Sequence, residues 1–469
     1  MDHANQKGQW GSRFGFLMAA VGSAVGLGNL WGFPYKMGKS GGFAFLIIYL
    51  VLVILVGVVI MMSELALGRK TGHGILAAYR AVSKKYAFVG WLGWISPILI
   101  LGFYSMLGGY CIKYMVANFG DIFSASWGVG DTDTSEFFMG FVQNQGGSAL
   151  FSLIFIALTV FIVVGGVSKG IERFTGIAMP ALFVMLVIVI IRSVTLPGAG
   201  EGLAFIFKPN FEVFKGSGWI TVLATAGSQM FFSLSLGMAI MVTYGSYMKK
   251  DEQIEQSAMI ICISDTIIAV MAAMATMPAV FAAGLEPGQG PGLLFVTLQT
   301  VFNSMGSIGP IFGTLFYGLV FIAAITSSIS LTEAVAAPLM DRFLAKGQSV
   351  NRKKATIVMG VIVAVLGVLV SLDGLGTQGF PQILGQGCWL DAMDLISEGL
   401  FMPIGALCTA VIFGWLQPTY LYDEISGGLG DNFRSKGYYH FCTKFLVPPI
   451  MLLVLVGQID TFFGLGIFG

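Results

Sequence analysis

Residues 22–34 read GSAVGLGNLWGFP and lie inside the first apolar run of the chain. Glycines at 22, 26 and 28 fit either a tightly packed membrane helix or a helix that unwinds in its middle. A second run, FSLSLGM at residues 232–238, repeats the pattern about 210 residues later. Paired interruptions at that distance favour two broken spans that belong to two copies of one repeated unit.

Composition places the chain among membrane proteins. Apolar residues make up 56% of the 469 residues and charged residues only 10%, which leaves too little polar surface for a soluble protein. The apolar runs do not alternate, so they predict helices rather than barrel strands. A net charge of +1 without a basic cluster excludes a nucleic-acid partner. Five scattered cysteines and three dispersed histidines predict neither a disulfide nor a metal cluster.

The apolar runs predict an all-α polytopic membrane protein with about 11 transmembrane helices. The first run is too long and too rich in glycine to be a cleaved signal. The short stretch 291–305 is expected to form a hairpin on the outer face. The predicted spans are residues 14–37, 42–68, 88–119, 149–166, 172–194, 217–247, 254–284, 310–344, 354–371, 388–416 and 441–468.

Loop charges predict the orientation in the cell membrane. Acidic residues dominate one set of loops, and lysine and arginine dominate the other, which the positive-inside rule assigns to the cytoplasm. The N-terminus is therefore expected to be cytoplasmic. The basic loop residues are Arg69, Lys70, Arg80, Lys84, Lys85, Lys169, Arg173, Lys249, Lys250 and those within 342–354.

The two breaks predict a 5+5 inverted repeat. The expected units are residues 13–200 and 210–420, preceded by a cytoplasmic segment at 1–12 and followed by a last helix at 438–469. A five-helix unit must re-enter the membrane with opposite topology. Where a helix unwinds inside the membrane, its free carbonyls suit a cation and its free amides suit an anion. The pattern therefore predicts a midplane site for sodium and a carboxylate.

Hydroxyl groups near the breaks are candidate oxygen ligands for a hard cation. Ser233 and Ser235 lie in the sixth span, and a threonine and two serines lie at 326–328. The alternative is that these hydroxyls bond back to the preceding helical turn. Sequence alone leaves both interpretations open.

Three acids fall within predicted spans. Asp265 lies about 11 residues into the seventh span, hence ~16 Å deep, where an unpaired acid is costly and indicates function. Glu64 fits either a transport role or a carboxylate that caps exposed backbone amides. Glu333 fits either a transport role or an acid that is protonated or faces a cavity.

Six motifs in order along the chain resemble the neurotransmitter:sodium symporter family, in its bacterial amino-acid transporter branch. They are GSAVGLGNLWGFP, SELALGR at 63–69, QMFFSLSLG at 229–237, TYGSYM at 243–248, AAITSSIS at 323–330 and LDAMD at 390–394. The resemblance covers nearly the whole chain. It implies a leucine-transporter-like fold and sodium-coupled symport by alternating access.

The resemblance also implies two sodium ions as coupling ions and no other cofactor. The first ion would be held, together with the substrate carboxylate, by Ala24, Asn29, Ser233 and Asp265. The second would be held by Gly22, Val25, Ala323, Thr326 and Ser327. The implied substrate site comprises Ala24, Gly26, Leu27, Gly28, Ile100, Tyr104, Phe232, Ser233, Ser235, Met238, Ser327 and Leu331.

Gly26 and Asp265 narrow the expected chemistry. Relatives that carry monoamines have an aspartate where Gly26 stands, so glycine implies a substrate that brings its own carboxylate. The implied cup has no second charge, which favours a neutral L-amino acid with an apolar or aromatic side chain. Relatives that need chloride are neutral at the position of Asp265. The carboxylate is therefore expected to replace chloride, near Tyr49 and Gln229.

The implied gates follow the family on one side and depart from it on the other. The inner gate would comprise Lys7, Trp10, Tyr247 and Asp341. At the outer gate the family's arginine is replaced by Gly32, and Lys36, one turn further along, is expected to reach Asp394 instead. Gly170 and Pro180 frame a spacing that relatives use to unwind the fifth helix.

An enzyme and a non-transporting receptor or channel are the alternatives to a transporter. An enzyme would need a nucleophile with its base, or a metal cluster, and no such residues recur at helical spacing. The better alternative is a non-transporting receptor or a channel on the same scaffold. Sodium-dependent accumulation of substrate would separate a symporter from both.

Overall fold

The computed structural model describes residues 8–286, 292–426, 433 and 435–468, and all regular elements of those residues are helices. Nine of these helices are long and apolar enough to cross a membrane, and a bent pair makes a tenth crossing. The nine are α3 (Phe43–Thr71), α5 (Lys84–Ile122), α7 (Gln145–Val164), α8 (Val167–Val194), α12 (Ile254–Ala282), α14 (Gly306–Ala345), α15 (Arg352–Asp373), α16 (Trp389–Leu416) and α18 (Lys436–Phe463).

The bent pair and one further interrupted helix correspond to the predicted broken spans. The pair is α1 (Arg13–Ala24) and α2 (Gly28–Lys39), which meet at an angle of 44°. The second interruption separates α10 (Gly218–Ser233) from α11 (Ile240–Gly245). Counted as one interrupted span, α10 and α11 bring the crossings of the described residues to the predicted number.

Five shorter helices connect these elements or pack against them. The apolar stretch at 293–304 is a single short helix and not the predicted hairpin, although it is too short to be a full span, as expected; residue 291 lies outside the described residues. The other four had not been predicted. The five are α4 (Ile75–Val82), α6 (Thr134–Gln143), α9 (Ala199–Phe207), α13 (Leu293–Ser304) and α17 (Tyr422–Ser426).

Backbone conformation explains why α10 ends where it does. Three residues of the connection have positive φ values: Ser235 at 56°, Gly237 at 73° and Ala239 at 66°. Glycine adopts that region freely, whereas serine and alanine do so at a cost. Non-glycine residues held in this conformation indicate that the surrounding structure imposes it, which is common at functional sites.

The two broken helices lie at the centre of the bundle. α1 packs against α8 and α14, while α3 packs against α10 and α11. α5 packs along α14 and α15. We call the end of the bundle that carries the start of α1 and the start of α15 the basic face, and the end that carries the start of α16 the opposite face.

Candidate functional site

Side chains from other helices satisfy the backbone groups that the first break releases. The Leu27 amide donates to the Tyr104 hydroxyl at 3.0 Å. The Gln229 side chain donates to the Gly28 carbonyl at 2.7 Å. Because a buried unpaired backbone group is costly, these contacts hold the break in one conformation.

The second break is held in the same way, and the contact supports the interpretation of Glu64 as a cap for exposed backbone amides. The Gly237 amide donates to Glu64 Oε1 at 2.8 Å. Glu64 is 3% exposed, so this carboxylate caps the unwound backbone between α10 and α11. Ser235 Oγ donates to the Ser23 carbonyl at 3.1 Å and joins the two breaks directly.

Asp265 lies at the centre of a buried cluster beside the first break. Asn29 Nδ2 donates to Asp265 Oδ1 at 2.7 Å, and Ser233 Oγ donates to Oδ2 at 2.9 Å. The Tyr49 hydroxyl donates to Oδ2 at 3.2 Å. All three donors are neutral, and the described ion pairs do not include Asp265. A nearby cation would strongly stabilise the ionised form of a carboxylate that is buried among neutral groups.

A second group of oxygens lies where α14 passes α1. Ser327 Oγ donates to the carbonyls of Ser23 at 2.9 Å and Gly22 at 3.4 Å. Thr326 instead bonds back along its own helix to the Ile322 carbonyl, at 3.0 Å. Ser327 therefore fits the interpretation as a candidate oxygen ligand between two helices, whereas Thr326 fits the interpretation as a hydroxyl that bonds back to its own helix. Val25 and Ala323, the remaining members of the implied set, are both fully buried. Val25 is close in sequence to Ser23, and Ala323 is close in sequence to Thr326.

A cavity of about 20 Å³ lies between the two breaks, which is enough for about one water molecule. Its wall contains most of the implied substrate site. Leu27 and Ser233 are absent from the wall; the Leu27 amide bonds to Tyr104 and the Ser233 hydroxyl to Asp265. Ser23 and Ile240 belong to it and had not been predicted. The lining residues are Ser23, Ala24, Gly26, Gly28, Ile100, Tyr104, Phe232, Ser235, Met238, Ile240, Ser327 and Leu331.

Gly26 and Gly28 allow the close approach that forms this cavity. A Cβ atom on Gly26 would lie 2.3 Å from Ser327 Oγ and 2.7 Å from the Tyr104 hydroxyl. A Cβ atom on Gly28 would lie 2.7 Å from the Phe232 ring. All three separations are below 3.0 Å, so a side chain at either position would force its neighbours to shift and would disturb the cavity.

Phe232 separates this cavity from a much larger one. A vestibule of about 670 Å³ opens from the opposite face, and Phe232 lines both spaces. The vestibule wall includes Trp31, Lys36, Phe103 and Asp394. The structure is therefore open from one face as far as a single aromatic ring.

The predicted pairing of Lys36 with Asp394 is wrong in this structure. Lys36 Nζ forms its ion pair with Glu398, which lies one helical turn beyond Asp394 on α16. Ser228 Oγ donates to the same carboxylate at 2.5 Å. Sequence reasoning missed Glu398, although Lys36 and Glu398 are each displaced by four residues from the family's gate positions.

Aromatic side chains close the basic face. Trp10 Nε1 donates to the Tyr244 carbonyl at 3.1 Å, and the Trp10 amide donates to the Tyr247 carbonyl at 3.3 Å. The Trp10 and Tyr244 rings meet edge to face at 4.9 Å. Lys7, the other predicted member of this gate on the N-terminal segment, lies outside the described residues.

Two carboxylates on α14 strengthen the closure. Glu333 is fully buried and accepts from the Tyr247 hydroxyl at 2.5 Å and from Arg352 Nη1 at 2.5 Å. It thus pairs with Arg352, a residue that had been considered only for its loop charge. Asp341 accepts from the Gly74 amide at 2.8 Å and contacts the His73 ring.

Glu172 ties the start of α8 to the start of α1. Its carboxylate accepts from the Gly11 amide at 2.8 Å and from Ser12 Oγ at 2.8 Å. Ser12 in turn caps α1 by accepting from the Gly15 amide. Gly170 lies in the wide turn just before Glu172, where a Cβ would be 2.2 Å from the Ile162 carbonyl.

Comparison with known proteins covers nearly the whole chain. The model of the sodium:neurotransmitter symporter family matches residues 7–134 and 139–467. An uncharacterized sodium-dependent transporter, YhdH of Bacillus subtilis (strain 168), is 33% identical over 458 residues, which are 96% of this chain and 97% of YhdH. The sodium- and chloride-dependent GABA transporter 2 of Homo sapiens is 25% identical, over 96% of this chain and 79% of that transporter.

A solved structure extends the likeness to the fold. The crystal structure of MhsT in complex with L-phenylalanine matches with a TM-score of 0.86 and 37% identity, over 96% of this chain and 99% of MhsT. The match confirms the expected fold class. The chain therefore belongs to the sodium:neurotransmitter symporter family and is a sodium-dependent symporter rather than an enzyme.

Proposed function

We propose that the protein uses an inward sodium gradient to take up a neutral amino acid with an apolar or aromatic side chain, without chloride. The basic face is the cytoplasmic face of the cell membrane, and residues 13–200 and 210–420 form the two inverted repeats. The observation that carries the proposal is the buried Asp265 cluster, which lies beside a small cavity between two broken helices.

The first sodium ion binds at the Asp265 cluster. The carboxylate is fully buried and has only neutral hydrogen-bond donors in the described structure. Oxygen ligands and a negative charge are what a hard cation prefers. Asn29 and Ser233 need only turn their oxygens toward the ion, while Ala24 and the substrate carboxylate complete its shell. The substrate is thereby a ligand of its own coupling ion.

The second sodium ion binds between α1 and α14. Ser327 already bridges the two helices through the Gly22 and Ser23 carbonyls. A cation among these oxygens would replace that hydrogen bond by stronger coordination and join the same helices. With Val25, Ala323 and Thr326 it would form the set that the family resemblance implies.

The substrate carboxylate binds at the first break. Gly26 leaves space that any side chain would fill, and Tyr104 already accepts from the Leu27 amide beside it. The carboxylate would replace Tyr104 as the acceptor for this amide, and the Tyr104 hydroxyl would then donate to the carboxylate. The positive end of α2 adds to the attraction.

The chemistry of the rest of the cavity wall suits an apolar substrate side chain, although the space must widen to admit one. Ile100, Met238 and Leu331 supply apolar surface, and the described lining of the cavity contains no acidic, basic or histidine side chain. A charged side chain would be buried there without a partner, at a cost of several kcal/mol. The match to MhsT, whose solved complex contains L-phenylalanine, supports an aromatic or apolar substrate.

Chloride is unnecessary because Asp265 supplies a fixed negative charge. Tyr49 and Ser233, which lie around that charge, bond to the carboxylate itself. We expect Asp265→Asn to lower uptake about tenfold or more in gluconate and to regain part of it when chloride is added. Asp460→Asn, which changes a capping carboxylate near the C-terminus, should leave uptake unchanged. Equal activity of wild type and Asp265→Asn in gluconate would contradict this role.

Alternating access follows from the two closures. Sodium orders the broken helices, Phe232 closes over the bound substrate, and the cluster of Trp10, Tyr247 and Glu333 then opens toward the cytoplasm. A ligand shifts such an equilibrium only through its different affinity for the two states. The ions and the substrate acquire that difference because they bind the breaks themselves.

Uptake into proteoliposomes tests the proposal. Labelled phenylalanine, tryptophan, leucine, lysine and glutamate would be supplied under an inward sodium gradient, with chloride replaced by gluconate in parallel. We expect sodium-dependent accumulation of the apolar amino acids alone, with no effect of gluconate. Sodium-independent binding without accumulation would indicate a receptor, and charge flow far above substrate flow would indicate a channel.

A further inference from the structure

An arginine at the opposite-face end of α8 has no charged partner among the described residues. Arg192 lies two residues before the end of α8, and its Nε atom is buried without a hydrogen-bond partner. The neighbouring Ser193 is 2% exposed, and its hydroxyl is also unpartnered. Native structures rarely leave two adjacent buried donors unsatisfied. Both groups therefore point to a ligand from outside the chain.

The two groups line one small crevice. It has a volume of about 10 Å³, which is near the lower limit for admitting one water-sized oxygen atom. The Phe312 ring lies 6.0 Å from the guanidinium carbon, a geometry that favours a fixed cation over the ring. Apart from Arg192 and Ser193 the walls are apolar: Val189, Ala275, Ala279, Leu298, Phe302, Met305, Phe312 and Phe316.

The crevice lies at the depth of lipid headgroups. α8 spans 28 residues, about 42 Å at 1.5 Å per residue, which matches the thickness of a bilayer with its headgroups. A residue at the end of this helix is therefore level with the phosphate layer. Exposed apolar residues adjoin the crevice in sequence on both helices: Ile188 and Ile191 on α8, and Ile308 and Ile311 at the start of α14.

We propose that this crevice binds the phosphate group of a membrane phospholipid. The Arg192 guanidinium and the Ser193 hydroxyl donate to one phosphate oxygen that enters the crevice, and the acyl chains cover the isoleucine surfaces of α8 and α14. Arginine suits phosphate because its planar group donates several hydrogen bonds and keeps its charge. The bound lipid would join α8 to α12, α13 and α14 on the face opposite to the Glu172 contact.

Native mass spectrometry of the purified full-length protein tests the site. The delipidated protein in a neutral detergent would be titrated with phosphatidylglycerol, and bound lipid would be counted for the wild type and its variants. We expect Arg192→Gln to weaken the tightest lipid binding about tenfold or more, and Ser193→Ala by a few-fold. The control is Lys208→Gln, because Lys208 is an exposed cation on the same face and should have no effect.

Two further measurements distinguish a lipid site from a free-anion site and from a folding defect. Inorganic phosphate at millimolar concentration should not displace the lipid, because it lacks the acyl chains; displacement would show a free-anion site and overturn the lipid assignment. Arg192→Lys, which keeps the charge, should retain binding partly and tests the site if Arg192→Gln does not fold. Equal lipid binding by wild type and both Arg192 variants, or equal loss in Lys208→Gln, would overturn the proposal.

Discussion

Gly26 shows at the scale of one residue how the absence of a side chain creates a site. A Cβ atom at this position would meet Ser327 Oγ at 2.3 Å and the Tyr104 hydroxyl at 2.7 Å. Overfilling a packed site costs about 1–3 kcal/mol. We therefore expect Gly26→Ala to lower substrate affinity about tenfold in a binding titration, and Gly26→Asp to abolish uptake of amino acids.

The control for this change is another helical glycine. Gly176 lies in α8, and a Cβ atom there would contact nothing within 4 Å. Gly176→Ala should leave affinity unchanged and raise helix stability slightly. If both alanine variants bound the substrate as the wild type does, the first break would not be the carboxylate site.

Lys36 and Glu398 provide a second prediction for individual residues. Their ion pair spans the vestibule between α2 and α16, with side chains that are 19% and 6% exposed. We expect Glu398→Gln to slow transport several-fold, and Asp394→Asn to have the smaller effect. A double-mutant cycle with Lys36→Met measures the coupling directly, which should be about 1–3 kcal/mol for a half-buried pair.

The opposite ranking would assign the gate to Asp394. Additive effects of Lys36→Met and Glu398→Gln would also contradict a functional ion pair, because two groups that do not interact change a free energy independently.

Sequence predicted the residues of the cavity better than the partners of the charges. Phe232 lies within one of the motifs shared with the family, and Tyr104 follows from the resemblance that those motifs establish along the chain. The partner of Lys36 depends on which turn of α16 faces α2, and the four-residue helical period allows Asp394 and Glu398 equally. The ion pair between Arg352 and Glu333 was not predicted for a similar reason. Glu333 lies inside the predicted span 310–344 and Arg352 lies in the loop after it, so the pattern did not indicate that the two side chains would meet.

The connection between α10 and α11 shows at the scale of one element why a helix stops. No intrahelical bond reaches the Gly237 amide, and Glu64 on α3 accepts its hydrogen bond at 2.8 Å. We expect Glu64→Ala to lower stability by about 1–3 kcal/mol, measured as a lower melting temperature in detergent. Glu64→Gln keeps an acceptor oxygen and should retain most of the stability.

Uptake separates this structural role from a role in ion transfer. If Glu64 only caps the backbone, Glu64→Gln should transport at nearly the rate of the wild type. An inactive but stable Glu64→Gln protein would show instead that the negative charge itself is needed.

Continuous elements were predictable because hydropathy alone defines them. Nine long helices coincide with apolar runs, and their ends lie within a few residues of the expected positions. The four unpredicted short helices, including α4 and α9, are too short for a recognisable apolar period. The breaks were predictable only as a pair, because one glycine-rich stretch is equally compatible with close packing.

The whole molecule is asymmetric between its two faces. From the opposite face a wide vestibule reaches Phe232, whereas the basic face is closed by Trp10, Tyr247 and the Glu333–Arg352 ion pair. Removing one partner of a buried ion pair costs about 3–5 kcal/mol. We therefore expect Arg352→Gln to shift the population toward a state that is open at the basic face.

Cysteine labelling measures this shift. Ser330 is fully buried beneath the Tyr244 hydroxyl, so Ser330→Cys should react with a polar thiol reagent only when the basic face opens. Labelling of Ser330→Cys should be several-fold higher when Arg352→Gln is also present than when Arg352 is kept. The same two proteins without the new cysteine give the background labelling to subtract. Lys353→Gln removes an exposed neighbouring charge and should not change it. Unchanged labelling in Arg352→Gln would show that the ion pair does not hold the closure.

Phe232 links the two compartments, because one ring is the floor of the vestibule and the roof of the cavity. If the cavity holds the substrate, as we propose, a bulkier substrate must displace that ring and thereby weakens the same barrier that delays its escape. The size of a substrate and the time for which it stays bound would then depend on the same ring. A smaller side chain at position 232 would admit larger molecules only by releasing every molecule sooner.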